Sequence, residues 1–380
     1  MNRPLKVFFI GGYRPFVLRG LRGGGGPNAV SAPLIDAFAK MKMNNIHITV
    51  MSNPFREIGI PLVKPRSFSL SKSVEVHYIP LLNPFIIMKG LVQCDLVHIF
   101  ALDPQNIIIC LFSKILGKKT IVTSHGYSPM EGLMKPKGLR FKIYNLLTRK
   151  IIEHSNAVTT VSHLLKRTLM HSLNIPKSWL DKFTVIHNGT DIVPIVPGKE
   201  DNLLKIISVL GKNYLNKGLP VIIEALEKLH PLVRWKFSVT LIGDIPESYL
   251  TKVPPDVTLT VFKKVPRQKL AELYAEAHIV LQPSFFDAFN LPTLEAASKA
   301  CIPIITTRMG VAEIFENGKD AFIIKPGDSS RIAEMLTRLA TNGDLRRKMS
   351  QRAYERSLSY TYDKVAERYL SLYLSILKRK

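Results

Sequence analysis

The sequence predicts an α/β protein built from two doubly wound, Rossmann-like parallel-sheet domains that face each other across a cleft. Three observations predict it. Short β-branched runs alternate with amphipathic segments almost from end to end, most strand runs are apolar on consecutive positions, and the rhythm breaks once, at 191–202, before resuming. Continuous apolar strands, each followed by a helix, suit a sheet buried on both faces.

In the first half the candidate strands are Leu5–Ile10, Ile46–Met51, Val74–Ile79, Asp95–Phe100, Lys119–Ser124, Ala157–Ser162 and Phe183–Asn188. They are rich in Val, Ile, Phe and Thr, whose branched or flat side chains fit a pleated surface. Between them, Asn28–Met41, Pro104–Leu116, Leu139–His154 and His163–Ser172 read as amphipathic helices. Residues 191–202, in the stretch TDIVPIVPGKEDN, combine two prolines, a glycine and charges, and read as a linker between domains 1–190 and 203–358. The second domain repeats the alternation, with strands Leu204–Leu210, Lys236–Ile242, Val257–Phe262, His278–Pro283, Ile302–Thr307 and Ala321–Pro326. Its helices are Gly218–Leu229, Gln268–Ala277, Leu291–Ala300 and Arg331–Thr341, and a last helix, 359–380, is expected to return to the first domain.

Composition narrows the function classes. With 46% hydrophobic and 22% charged residues the chain is globular, neither disordered nor collagenous. Lys and Arg number 53 against 29 Asp and Glu, a net charge of +24 that calls for an anionic partner. Nucleic acid is disfavoured, because no helix-turn-helix, zinc or basic-zipper pattern and no Arg-interleaved aromatic platform is present. Cys94, Cys110 and Cys301 are odd in number, form no C-x-x-C pair and lie in or beside apolar runs, which suits a reducing, cytoplasmic compartment. The opening MNRPLKVFFIGG has too short an apolar run for a signal-peptide core, and no stretch has the ~18 apolar residues of a membrane span.

In doubly wound sheets, ligands bind beyond the carboxyl ends of strands, so the chemistry is sought in strand-to-helix loops. After the first strand there is no G-x-G-x-x-G fingerprint, so a dinucleotide-dependent dehydrogenase is disfavoured; instead Gly23 to Gly26 precede a helix, where bare backbone and helix dipole suit an anion. The same segment also reads as a surface loop. His125 follows the strand Lys119–Ser124, placed to hydrogen-bond a ligand and able to titrate near neutrality, or simply structural. Lys212 and Lys217 flank the turn before Gly218–Leu229, a diphosphate site or two ordinary exposed lysines. In the segment after His278–Pro283, Asp287 precedes Asn290 as N-cap and Pro292 in the first turn, and Glu295 follows one turn deeper. The backbone N–H groups of Phe289, Asn290 and Leu291 would face phosphate while the two carboxylates accept from sugar hydroxyls. A glutamate within LEAAS also needs a partner, because burying it alone is costly.

These residues resemble a known family. The block PSFFDAFNLPTLEAASKACIPIITTRMGVAEIFENGKDAFIIKPGD resembles the signature of the family-4 retaining glycosyltransferases, whose fold is GT-B. The likeness extends to the glycine loop, the His125-Gly126 pair, HNGTD at His187–Asp191, and Lys217-Gly218. It implies that Glu295 binds the nucleotide ribose, that Asp287 contacts the donor sugar, and that Lys217 and Lys212 hold the diphosphate. Gly25 and Gly26 would approach from the opposite domain, with His125 against the sugar near the reacting carbon. Glu313 falls on a further acidic position of the signature. Three departures alter the donor pocket: Asp287 where the family has Glu, Asn290 where it has Gly, and Cys301 where many relatives have Gly.

The implied activity is transfer of a sugar, with retention, from a UDP- or GDP-sugar to a glycan or lipid-linked acceptor. No metal and no cofactor are expected, and the sequence has no D-x-D triplet. A sugar-nucleotide epimerase or a sugar-phosphate synthase of the same architecture is the alternative. On the acceptor side, the helix Leu139–His154 carries Leu139, Ile143, Leu146, Leu147 and Ile151 on one face beside many cations. It reads either as a core-facing helix or as one that docks on an anionic membrane at the inner face of the cell.

Overall fold

The computed structural model describes residues 3–12, 27–41, 46–52, 66–78, 84–132, 137–191, 203–229, 233 and 236–378. The chain forms two compact α/β units, the first comprising Met1–Pro129, Met134–Gly189 and Tyr362–Lys380, the second Met130–Leu133 and Thr190–Thr361.

The first unit holds strands β1 (Leu5–Ile10), β2 (Ile46–Ser52), β3 (Arg66–Ser71), β4 (Val74–Tyr78), β5 (Leu96–Ile99), β6 (Lys119–Ser124), β7 (Ala157–Thr160) and β8 (Phe183–Val185). Their order in the sheet is β3-β4-β2-β1-β5-β6-β7-β8. Every pairing is parallel except β3 with β4, a hairpin that adds an antiparallel edge. The sequence reading passed over β3 because RSFSLS is half serine and lacks the continuous apolar run of a covered strand.

The helices of this unit are α1 (Pro27–Lys40), α2 (Pro84–Gln93), α3 (Ile107–Ile115), α4 (Gly138–His154) and α5 (His163–Ser172). The last helix of the chain, numbered α12 (Tyr362–Lys378), belongs here too and packs against α1. Its buried face, Val365, Ala366, Tyr369, Tyr373 and Ile376, follows the 3.6-residue period and carries two hydroxyls into the core. There the Tyr373 hydroxyl lies 2.6 Å from Nδ1 of His98, whose Nε2 lies 2.7 Å from Thr123 Oγ1. Each buried polar atom of that ring therefore has a partner.

In the second unit, β9 (Leu204–Gly211), β10 (Phe237–Gly243), β11 (Thr258–Phe262), β12 (Ile279–Gln282), β13 (Ile302–Thr306) and β14 (Phe322–Ile324) form a wholly parallel sheet, ordered β11-β10-β9-β12-β13-β14. Its helices are α6 (Leu219–Glu227), α7 (Glu247–Leu250), α8 (Arg267–Glu276), α9 (Leu291–Ala297), α10 (Ser329–Thr341) and α11 (Gly343–Ser357). Successive side chains of a strand point to opposite faces, and both faces here are buried. Ile206, Ile279 and Leu281 join one core with α6 and α10, while Ile207 and Val280 join the other with Tyr274 and Ala296. That explains why these strands read as unbroken apolar runs. Cys94, Cys110 and Cys301 are buried thiols rather than disulfides.

Candidate functional site

The connections reverse direction between β9 and β12: from β9 the chain moves outward to β10 and β11, then returns to β12 on the other side. Two adjacent strands whose loops diverge leave a crevice at their carboxyl ends. The turn after β9 carries Lys217, and the loop after β12 carries Asp287.

These two loops are bound together. Phe285 N donates to Asn216 O at 2.8 Å, and Asn216 Nδ2 donates to Phe286 O at 2.8 Å. Gly218, which caps α6, has φ 83°, and a side chain there would run into the Pro283 carbonyl. Only glycine combines that backbone with that approach, which accounts for the Lys217-Gly218 pair in physical terms.

The result is a contact between Lys217 Nζ and Asp287 Oδ2, with the two side chains 26% and 10% exposed. Asn290 Nδ2 donates to the same oxygen at 2.6 Å, and Phe289 N donates to Oδ1 at 3.2 Å. Asn290 caps α9 from the left-handed region (φ 72°), its Oδ1 accepting from Thr293 N at 3.1 Å and Thr293 Oγ1 at 2.6 Å. Asn tolerates that conformation almost as glycine does, so Asn290 keeps the turn and adds a clamp on Asp287.

This corrects one expectation. The Phe289 N–H does not face an incoming phosphate; it is turned onto the carboxylate two residues before it. Asp287 is likewise more engaged than expected. Of the roughly four lone-pair positions of a carboxylate, three are taken by described residues, leaving one on Oδ1 open among them. Leu291 opens the two-turn helix α9.

Glu295 lies in the second turn of α9 and does not join the Lys217 cluster. Its Oε1 stands 3.6 Å from an Arg267 guanidinium nitrogen that also lies 3.3 Å from Asp191 Oδ2. Burial raises the Glu295 carboxyl, Arg267 opposes that, and Asp191 reinforces it. The sequence required a partner for a glutamate within LEAAS but gave no sign that Arg267 would supply it.

Glu131 was missed altogether, because one acid in SPMEGLM carries no periodic or motif signal. It lies in the short segment that belongs to the second unit, with its carbonyl accepting from Asn213 Nδ2. Its carboxyl is pushed up to about 7, chiefly by burial and then by Asp287, with Lys217 opposing. Lys212 is exposed on the same turn as Lys217.

In the first unit, His125 follows β6 with its ring 4.5 Å from that of Phe100. Both ring nitrogens are shut off from solvent and lack a partner among the described residues. Burial lowers its pKa to about 3, which corrects the expectation of titration near neutrality: this imidazole is neutral there. Gly25 and Gly26 lie outside the described residues. Among the described residues, no three His, Cys, Asp or Glu side chains converge to hold a metal ion.

Comparisons with known proteins bear on the family and the fold. Residues 196–356 match the family described as Glycosyl transferases group 1, and residues 28–193 match Glycosyltransferase Family 4. The chain is 26% identical, over 75% of its length and 75% of the relative's, to an N-acetyl-alpha-D-glucosaminyl L-malate synthase of Bacillus anthracis. Among solved structures it resembles a sucrose-phosphate synthase from Thermosynechococcus elongatus, with TM-score 0.70, 14% identity, and 99% and 100% of the two chains covered. It also resembles Anabaena Alr3699/HepE in complex with UDP-glucose, with TM-score 0.64, 15% identity, and 98% and 100% covered. The architecture is GT-B, and the chain belongs to the family-4 glycosyltransferases, with a group 1 transferase region forming its second half.

Proposed function

We propose that this glycosyltransferase moves a sugar, with retention of anomeric configuration, from a UDP- or GDP-sugar to a glycan or lipid-linked acceptor without a metal ion. The reading rests on one observation above all: Lys217 and Asp287, seventy positions apart, meet at the switch point of the second sheet. A cation held on a carboxylate from which phosphate can recruit it, at the mouth of a strand crevice, suits the diphosphate of a sugar nucleotide. Lys217 would neutralise charge developing on the leaving diphosphate as the bond from the anomeric carbon breaks. Lys212, exposed beside it, would add a second cation, and the N–H groups of Asn290 and Leu291 a third set of donors.

Asp287 has one position on Oδ1 left open by the described residues for a sugar hydroxyl, and otherwise holds Lys217 until phosphate competes for it. Glu295 would accept from the ribose, with Arg267 opposing the rise that burial imposes on its carboxyl. His125, neutral and with both nitrogens unpartnered among the described residues, would exchange hydrogen bonds with the sugar near the reacting carbon rather than act as a cation. The acceptor would be met on the cytoplasmic side, at an anionic membrane surface where it is lipid-linked.

The test is a panel of UDP-, GDP- and ADP-sugars read by thermal stabilisation, then by product analysis with sugar-phosphate and lipid-linked acceptors. One donor class should stabilise the chain, and Lys217→Ala and Glu295→Ala should each lower turnover about 100-fold or more. No stabilisation by any donor, or unchanged turnover in both variants, defeats the proposal. An epimerised donor with no acceptor consumed would select the alternative reading.

A further inference from the structure

Three helices of the first unit, α2, α3 and α4, are apolar on the side turned away from the sheet. Of the fifteen large hydrophobic side chains exposed among the described residues, nine lie on these helices: two on α2, four on α3 and three on α4. The most open are Phe85 (83%), Ile115 (77%), Leu139 (73%) and Ile108 (60%). Isolated exposed apolar residues need no explanation, but this concentration on neighbouring helices does.

The helices form one layer. Lys118 donates to the Val92 and Cys94 carbonyls at the end of α2, at 2.9 and 2.6 Å, tying it to the end of α3. Lys114 on α3 lies 3.1 Å from His154 Nδ1 on α4, and the two helices pack along their lengths. The apolar stripe expected on α4 is divided: Ile151 is buried in the core, whereas Leu139, Ile143 and Leu146 stay in solvent.

Charge on this layer is one-sided. Lys89, Lys114, Arg140, Lys142, Arg149 and Lys150 face a single carboxylate, Glu153, which Lys150 already neutralises at 2.8 Å. A protein partner or a second copy of this chain would have to supply the anions; the copy cannot do so with this same face, which would oppose cation to cation. An anionic lipid surface supplies phosphates at one depth and hydrocarbon just below.

We propose that the α2–α3–α4 face docks on an anionic phospholipid bilayer, the apolar side chains entering the interface and the cations meeting lipid phosphates. The proposal rests for its purpose on the reading of a lipid-linked acceptor, though vesicle binding itself requires no donor. Floated with vesicles containing about 30% phosphatidylglycerol, the full chain should bind, and should bind neutral phosphatidylcholine vesicles about tenfold less or weaker. Arg140→Glu with Lys142→Glu should lose binding about tenfold, and so should Phe112→Ser with Ile115→Ser at low salt.

Failure to float with anionic vesicles at low salt overturns the proposal, as does wild-type binding by either variant. A concentration-dependent dimer abolished by the Phe112 and Ile115 substitutions, with no vesicle binding, overturns it in favour of a second copy. As a separate readout, Leu139→Trp should be quenched by brominated acyl chains; no quenching overturns the proposal whatever the other variants do. Thermal stabilisation by nucleotide sugars, measured on the same variants, tells the two failures apart: lost flotation with intact donor binding removes only this surface.

Discussion

His98 lies in the core of the first unit and His125 has both ring nitrogens shut off from solvent, and burial holds each imidazole neutral, with pKa values lowered to about 3; a charge on His125 would lower His98 further. In the unfolded chain each titrates near 6.5. Between these values the unfolded state binds more protons, so the stability of this unit is whole above 6.5 and is lost as pH falls toward 3. At about pH 5 each histidine costs about 2 kcal/mol relative to neutrality, and the pair about 4 kcal/mol. His154, partly buried, shifts the same way. The chain has two tryptophans, and Trp235→Phe leaves Trp179, in the first unit, as the sole indole reporter. Urea denaturation of that chain, followed by fluorescence, should show the loss between about pH 7.5 and pH 5, and His125→Gln should halve it. Equal midpoints at the two pH values, or an undiminished difference in the His125→Gln chain, would refute the assignment of two neutral buried imidazoles.

Three further outcomes follow from particular contacts. Tyr373→Phe leaves His98 Nδ1 without its hydroxyl partner in a closed core and should cost about 1–3 kcal/mol in a denaturant titration, with donor affinity unchanged. Gly218→Ala places a methyl group against the Pro283 carbonyl in a left-handed backbone; it should destabilise the chain by about 2 kcal/mol or more and weaken donor binding, checked by melting and calorimetry. Glu131, raised to about 7 in the fold, favours the folded state fully below its unfolded value near 4.5, and that contribution is lost as pH rises through 7. Glu131→Gln should therefore flatten the decline in stability of the second unit between about pH 5 and pH 8, read by hydrogen exchange in β9 and β12.

Much of this architecture could be read locally, and the reasons are specific. A strand covered on both faces must be largely apolar at consecutive positions, so β5, β12 and β13 announce themselves in four or five residues. Asn290 announces a helix start because its side chain does the capping. The hairpin strand β3 and the helix α2 gave weaker signals, one half serine, the other a short apolar run whose period could not be assigned. The partners in the site were not legible at all. Arg267 reaches Glu295 across the packing of α8 on α9, and Glu131 reaches the second unit from a loop numbered among the first. A contact made by tertiary folding leaves no periodicity behind. The state of His125 is another such case: the residue type suggested a titrating group, and only the closing off of its ring nitrogens, beside Phe100, makes it a neutral one.

The pairing of Lys217 with Asp287 bears on how a diphosphate would be gripped. A lysine in contact with a carboxylate presents a dipole rather than a full charge, so the pair as it stands attracts an anion only weakly. Two features make the amine easy to recruit. Asp287 keeps its bonds from Asn290 Nδ2 and Phe289 N when Lys217 swings away, and so is not left bare in a mostly buried position. Lys217 itself is 26% exposed and rides on a turn fixed by Gly218 and Asn216, so only its side chain has to move. The carboxylate then works as a holder that keeps the cation ordered until phosphate competes for it. On this reasoning Asp287→Asn frees the lysine early: affinity for the bare nucleotide diphosphate rises or holds, while turnover falls because the sugar loses its acceptor on Oδ1. A parallel loss of diphosphate affinity in Asp287→Asn, measured by calorimetry, would mean the carboxylate positions the cation rather than merely parking it.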